Sequence, residues 1–177
     1  AFNPQIATFA TANQHFGGPA YSFNRMSWIK PGFLWMMYRA GWATKDQQER
    51  ILMITLPLVH FKTILAQATF SSYNEEVYET HDDWKTALDK TEVRLQWDPD
   101  HDPFGNKEKR KAIQLGMKGD ILKKFGTEWV IKIEDITDLV KEAHEKVITN
   151  NIEDLQIPYE EVIEINDEEI EKSIGLK

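Results

Sequence analysis

The chain contains no cysteine. That excludes a disulfide framework, a thiolate zinc site, an iron–sulfur cluster and a cysteine nucleophile, and it fits a reducing compartment such as the cytoplasm. Long apolar runs are missing too. The longest, Ile51–Val59, is interrupted by Thr55 and Pro57 and falls far short of the about 20 residues that cross a bilayer. No secretory leader pattern opens the sequence. Neither glycine-rich nucleotide fingerprint, G-x-G-x-x-G or G-x-x-x-x-G-K-[ST], occurs. A G-x-S-x-G elbow, an H-E-x-x-H zinc motif and the kinase motif set are likewise absent. Finally, the start of the chain lacks acids: the first is Asp46.

What is present describes an ordinary globule. Of 177 residues, 41% are hydrophobic and 28% charged, enough for one folded domain with a real core. The net charge of −8 is unevenly spread. Residues 1–70 carry six Lys/Arg against two Asp/Glu, whereas the rest of the chain is strongly acidic. An acidic protein does not wrap duplex DNA non-specifically. A local patch without carboxylates can still hold a phosphate or a nucleotide.

Local signals predict mixed α and β structure. Asn3-Pro4 reads as an N-cap and first helical residue, with a helix to about Gln14 ended by Gly17-Gly18. Pro31 starts a second helix that Gly41 stops. Arg50–Leu56 reads as a buried strand, and Leu58, Phe61, Ile64, Leu65 and Ala68 as one face of a helix. Residues 70–79 read as a polar loop. Thr80 and Asp83 form a capping box. Glu92–Trp97, Ala112–Leu115 and Trp129–Ile133 read as strands, with a polar loop at Asp98–Lys109 and a short helix at Asp120–Phe125. Thr137 is expected to cap a helix to about Ile148. Val162–Ile165 suggests a strand and Asn166 a final cap. The expected architecture is α+β, one compact domain with short mixed or antiparallel strands. Residues 1–150 form its core, and the acidic residues 151–177 pack against it.

Two motifs invite a ligand and read more simply without one. Asp98, Asp100 and Asp102 form D-x-D-x-D, but Pro103 and Lys109 stand where a calcium loop needs glycine and glutamate. The segment therefore reads as a solvated acidic loop. Gly116-Met117-Lys118-Gly119 is a G-x-x-G that reads as a strand-to-helix turn. The five histidines are scattered and read as separate residues.

Arg25–Trp42 is different. Eighteen residues hold Trp28, Trp35, Trp42, Tyr38, three methionines, Arg25, Lys30 and Arg39. On a helix from Pro31, residues 35, 38, 39 and 42 share one face. Aromatics in such a helix can be core, but three cations without a nearby acid need counter-charges. Those are carboxylates of the second half or a bound phosphate, with aromatic faces left to stack a base.

The segment resembles the hallmark of the family termed domain of unknown function 4291, roughly R-M-[ST]-W-I-K-P-[SG]-F-L-W-M-M-Y-R-x-G-W. Val93–Pro99 resembles that family's V-x-x-Q-W-D-P, Ala112–Gly116 its S-I-Q-[IL]-G, and Trp129–Thr137 its W-I-x-x-I-x-D-x-T. The resemblance also implies a strand upstream of Phe2, ending in Y-Q-A-[FY]-x-P. In organisation the chain is similar to ADP-ribosyltransferases, which bind NAD between two small sheets without a Rossmann motif. That similarity implies NAD as cofactor and a nucleic acid or protein as acceptor. It places Gln114 and Arg25 in the catalytic roles, where those enzymes more often have glutamate in place of Gln114. Lys30 and Arg39 would hold pyrophosphate, and Trp28, Trp35, Tyr38 and Trp42 would stack nicotinamide or a base. Two other readings stay open. One is a nucleotide- or RNA-binding module without catalysis. The other is an interaction protein of the toxin–antitoxin type, whose acidic tail masks a basic surface.

Overall fold

The computed structural model describes every residue, Ala1–Lys177. In chain order it contains α1 (Pro4–Asn13), β1 (Ser27–Ile29), α2 (Phe33–Ala40), β2 (Leu52–Thr55), α3 (Leu58–Ala66), β3 (Ala68–Phe70) and α4 (His81–Lys90). There follow β4 (Val93–His101), β5 (Lys107–Met117), α5 (Gly119–Lys124), β6 (Lys132–Asp135), α6 (Thr137–Ile148) and α7 (Glu168–Ser173). The fold is α+β, as the sequence predicts. None of its helices is long and apolar enough to cross a membrane.

Four strands form one sheet in the order β1-β5-β4-β3, with β3 parallel to β4 and the other pairs antiparallel. The other two, β2 and β6, form a separate antiparallel pair. Alternation along β4 and β5 decides the larger sheet's faces. Val93, Leu95, Leu115 and Met117 point one way and are fully buried. With Ile64, Leu65, Leu122 and Phe125 they build the main core. Ile165, Ile170 and Ile174 of the acidic tail join the same cluster, and Trp97 Nε1 donates to the Ile174 carbonyl at 2.8 Å. A second core packs Phe33, Met37, Ala40 and Trp42 against Val140, Ala143 and Val147 of α6.

Several expectations hold where one residue type does the local work. Asn3 Oδ1 accepts the Ile6 N–H at 2.9 Å, with Pro4 at the first helical position. Thr80 Oγ1 accepts the Asp83 N–H at 3.1 Å. Gly41 closes α2 in the left-handed region, φ 56°. Trp42 and Ala43 stay there too, at φ 53° and 65°. That turn folds the Trp42 ring back onto Phe33 and His144.

Others are corrected. Asp98–Lys109 is not a loop: β4 runs to His101 and β5 begins at Lys107. Side-chain partners satisfy the acids: Arg110 across the ladder pairs with Asp100 at 2.5 Å, and Gln114 across the ladder and Gln96 on the same strand donate to Asp98. Only Asp102 shapes the tip, accepting from the backbone of Phe104 and Asn106 at 2.9 and 2.8 Å. Ala68 leaves the helix for β3, whose three residues lie within the stretch from Ala68 into the supposed loop. The second strand is half-buried and alternating, because it has one partner and one packed face. The third region's strand is Lys132–Asp135, since Trp129 still belongs to the π-turn after α5. Thr137 does not cap α6. Its hydroxyl donates to Asp135 Oδ1 at 2.5 Å and accepts the Ile51 N–H at 3.0 Å, which ties β2 to the start of α6. Asp135 also pairs with Arg50. Burial alone would raise the Asp135 carboxyl pKa, but bonds from Thr137 and Arg50 hold it below the usual range. Val162–Ile165 forms no strand, having no neighbour to pair with. Asp167 rather than Asn166 caps α7, accepting from Glu169 and Ile170 N–H groups.

Candidate functional site

The sheet face opposite the main core is polar. Residues paired across antiparallel strands point to the same side, so register alone assembles it. Trp28 lies opposite Gly116, and Gly116 opposite Arg94. One step along, Gln114 lies opposite Gln96. The register of β1 and β5, carried one residue past Ile29, sets Lys30 opposite Gln114. One step further is the pair Asp98 and Ala112, with Gly32 resting on Ala112. The strand period thus gathers one tryptophan, two cations, two amides and one carboxylate.

Asp98 is the centre of this face. Its Oδ1 accepts from Gln96 Nε2 at 2.8 Å and its Oδ2 from Gln114 Nε2 at 2.7 Å. Two neutral donors leave its negative charge in place. Lys30 stands close enough for the charge of Asp98 to favour its protonated form. Burial outweighs that, and with the positive charge of Arg39 it pulls the Lys30 ammonium down to about 8. Arg39 itself is exposed, its guanidinium 6.0 Å from the Trp35 ring centre.

None of the molecule's five ion pairs involves Arg25, Lys30, Arg39 or Arg94. No carboxylate of the second half forms an ion pair with any of the four, and Lys30 has one nearby, Asp98. Arg94 makes no hydrogen bond, and its Nε is buried without a partner. An unsatisfied buried donor costs about 1–3 kcal/mol, so such a group points to a ligand or a solvent molecule.

The expected site residues divide in two. Lys30, Arg39, Gln114 and Trp28 come together on or beside this face. Arg25 does not: it is exposed in the bend before β1, at the strand end away from Lys30, and no hydrogen bond or ion pair joins it to Gln114. Trp42 does not either. It is 9% exposed and sits in the second core, stacked on His144 at 5.4 Å. Trp35 is 6% exposed, stacked on His101 at 5.1 Å, and its indole N–H has no partner. Tyr38 also stacks on His101, at 3.7 Å, touches Trp35 at 5.6 Å and stays 44% exposed. Trp35, Tyr38 and His101 thus form one aromatic cluster that fixes α2 against the end of β4. Each of the five histidines lies against an aromatic ring. No group of three metal-ligating side chains forms. The G-x-x-G turn is occupied, since Glu92 accepts the Asp120 and Ile121 N–H groups at 3.1 and 2.9 Å.

Sequence reasoning missed Asp98 and Arg94 as site residues. The signal lay in the spacing of two between Arg94, Gln96 and Asp98, which places all three on one side of a strand. Two surface cavities border the larger sheet. One of about 460 Å³ is lined by Phe70, Tyr73, Trp97 and the polar-face residue Gln96, and one of about 740 Å³ by Thr69, Tyr78 and Lys172.

The lowered Lys30 pKa would give any phosphate-bearing ligand held here a pH-dependent affinity, level below about pH 8 and falling above it as the ammonium is lost. The same group opposes folding below about 8, and that cost is relieved as the pH rises from about 8 to the unfolded value of 10.5, where the unfolded chain holds the proton that the folded chain has released. Titration of ADP from pH 6 to 10 checks this. Lys30→Arg should flatten the curve, and a flat curve for the unaltered chain would refute the assignment.

Comparison with curated proteins and with solved structures returns no match. A family model does match, over residues 1–163, and it spans every residue of the polar face. By that match the chain belongs to the family described as Domain of unknown function (DUF4291).

Proposed function

We propose that the polar sheet face binds NAD and transfers its ADP-ribose to a nucleic acid or protein acceptor, in an ADP-ribosyltransferase-like arrangement. The observation that carries the reading is Asp98, a carboxylate held by Gln114 and Gln96 beside the unpaired cations Lys30 and Arg39. Gln114 alone is neutral and could only orient a ribose hydroxyl. Asp98 supplies the charge that the glutamine lacks. In the transfer, the bond from ribose C1′ to the nicotinamide nitrogen breaks and its electron pair leaves with nicotinamide. The acceptor oxygen or nitrogen bonds to C1′ and gives its proton to solvent. Between those events C1′ is cationic, and a fixed carboxylate lowers the barrier by facing it. Lys30 and Arg39 take the pyrophosphate, and Trp28 stacks a ring.

The test uses NAD labelled on its adenosine half, incubated with separate RNA, single-stranded DNA and protein pools. Label in one pool, lost in Lys30→Ala, supports the transferase and names the acceptor class. A second reading is a nucleotide-binding module without catalysis, favoured by the engagement of both Asp98 oxygens with amides. It predicts binding of NAD or ADP with no label transferred. Absence of both binding and transfer sinks both readings.

A further inference from the structure

Gly116 has an unusual neighbour. A Cβ there would stand 2.7 Å from Trp28 Cε2, 2.8 Å from Cζ2 and 2.7 Å from Met26 Sδ. Glycine at this position lets the Trp28 ring lie across β5, toward the column of Arg94. The ring is half-buried. Arg94 stands in the same row, half-buried, with no carboxylate, no hydrogen bond and a sealed Nε. Its row is one step from that of Lys30 and two strands away, about 12 Å between Cα atoms at ordinary strand spacing.

We infer that Trp28, Gly116 and Arg94 form a subsite for a nucleoside carrying a phosphomonoester, with the base on Trp28 and the phosphate on Arg94. The inference rests on the NAD reading and sharpens it: the preferred dinucleotide is the 2′-phosphorylated one, NADP. A single guanidinium with free donors suits a dianionic phosphate bidentately. The pyrophosphate stays with Lys30 and Arg39, and the adenine bridges the two sites. The unphosphorylated dinucleotide would leave the Arg94 guanidinium without a charged partner, which gives the preference its physical basis.

Calorimetric titration of the full chain with NADP, NAD and adenosine 2′-phosphate tests this. NADP is expected to bind roughly tenfold tighter than NAD or better, the usual value of a charge-assisted contact. Arg94→Gln should erase the difference between the two dinucleotides. Arg94→Lys, which keeps charge but loses the planar fork, should retain part of it and guards against a folding defect. Equal affinities in the unaltered chain, or a preference that survives Arg94→Gln, would overturn the subsite. If neither dinucleotide binds, the NAD reading fails. Adenosine 2′-phosphate then decides the subsite alone: binding lost in Arg94→Gln supports it, and no binding overturns it.

Discussion

Replacement of Asp98 by asparagine is expected to lower ADP-ribosyl transfer roughly a hundredfold or more, with NAD affinity changed by less than about threefold. The two effects separate because they belong to different states. On the proposed reading the ground-state dinucleotide would be held through its pyrophosphate and its rings, which Asp98 does not touch. The cationic C1′ exists only near the transition state, and only there does the carboxylate act. Asparagine keeps the shape and an acceptor oxygen, so the amide contacts from Gln96 and Gln114 can partly persist. What is lost is the charge. The Asp98 charge also favours the protonated Lys30, so its removal should lower the Lys30 pKa further and bring the loss of anion binding to a lower pH. Single-turnover label transfer and equilibrium binding, both measured on the same preparation, check the split. Transfer unchanged in the asparagine variant would remove Asp98 from the chemistry.

The second large effect contrasts neighbours on β5. Leu115→Ala should destabilise the fold by about 3 kcal/mol, because it empties a fully buried site in the main core. For a chain of this size that lowers Tm by about 6–12 °C. Ligand affinity below the transition should stay within about twofold, since position 115 points away from the polar face. Gln114→Ala should do the reverse. It deletes a half-buried amide of the polar face, so Tm should move little while binding and transfer, on the proposed reading, fall. Thermal unfolding and NAD titration on the two variants read both axes. Equal effects of the two substitutions on both axes would mean that the two faces of the sheet are not separated as described.

These contrasts show where sequence reading works and where it stops. Gln114 was visible as a candidate from the motif around it, and Lys30, Arg39 and Trp28 from their density in one segment. Asp98 was visible in the Val93–Pro99 motif and as the first acid of a supposed loop, but not as the partner of Gln114. The loop reading failed because proline and acids are usually turn signals, whereas here each acid meets a cross-strand partner: Gln114 for Asp98 and Arg110 for Asp100. Such partners lie 10 to 16 residues away and cannot be seen in a local window. Trp35 and Trp42 show the opposite error. Their helical spacing suggested a shared stacking face, but the left-handed turn at Gly41–Ala43 sends Trp42 into the second core, and His101 takes Trp35.

By itself the sequence determined what single residues dictate to their own neighbourhoods. Asn3 and Pro4 start α1, Thr80 caps α4 and Gly41 ends α2, because each satisfies or terminates backbone donors within four residues of itself. It also determined the family, through the Arg25–Trp42 motif, and the cation-rich, acid-poor character of the opening segment. Tertiary structure decided which of those cations face a carboxylate. Lys30, Gln114, Gln96 and Asp98 meet because the core demands that Leu95 and Leu115 point inward, and strand parity then forces their neighbours outward onto one face. That constraint is set by burial of the opposite side of the sheet, so it has no signature in the site residues themselves.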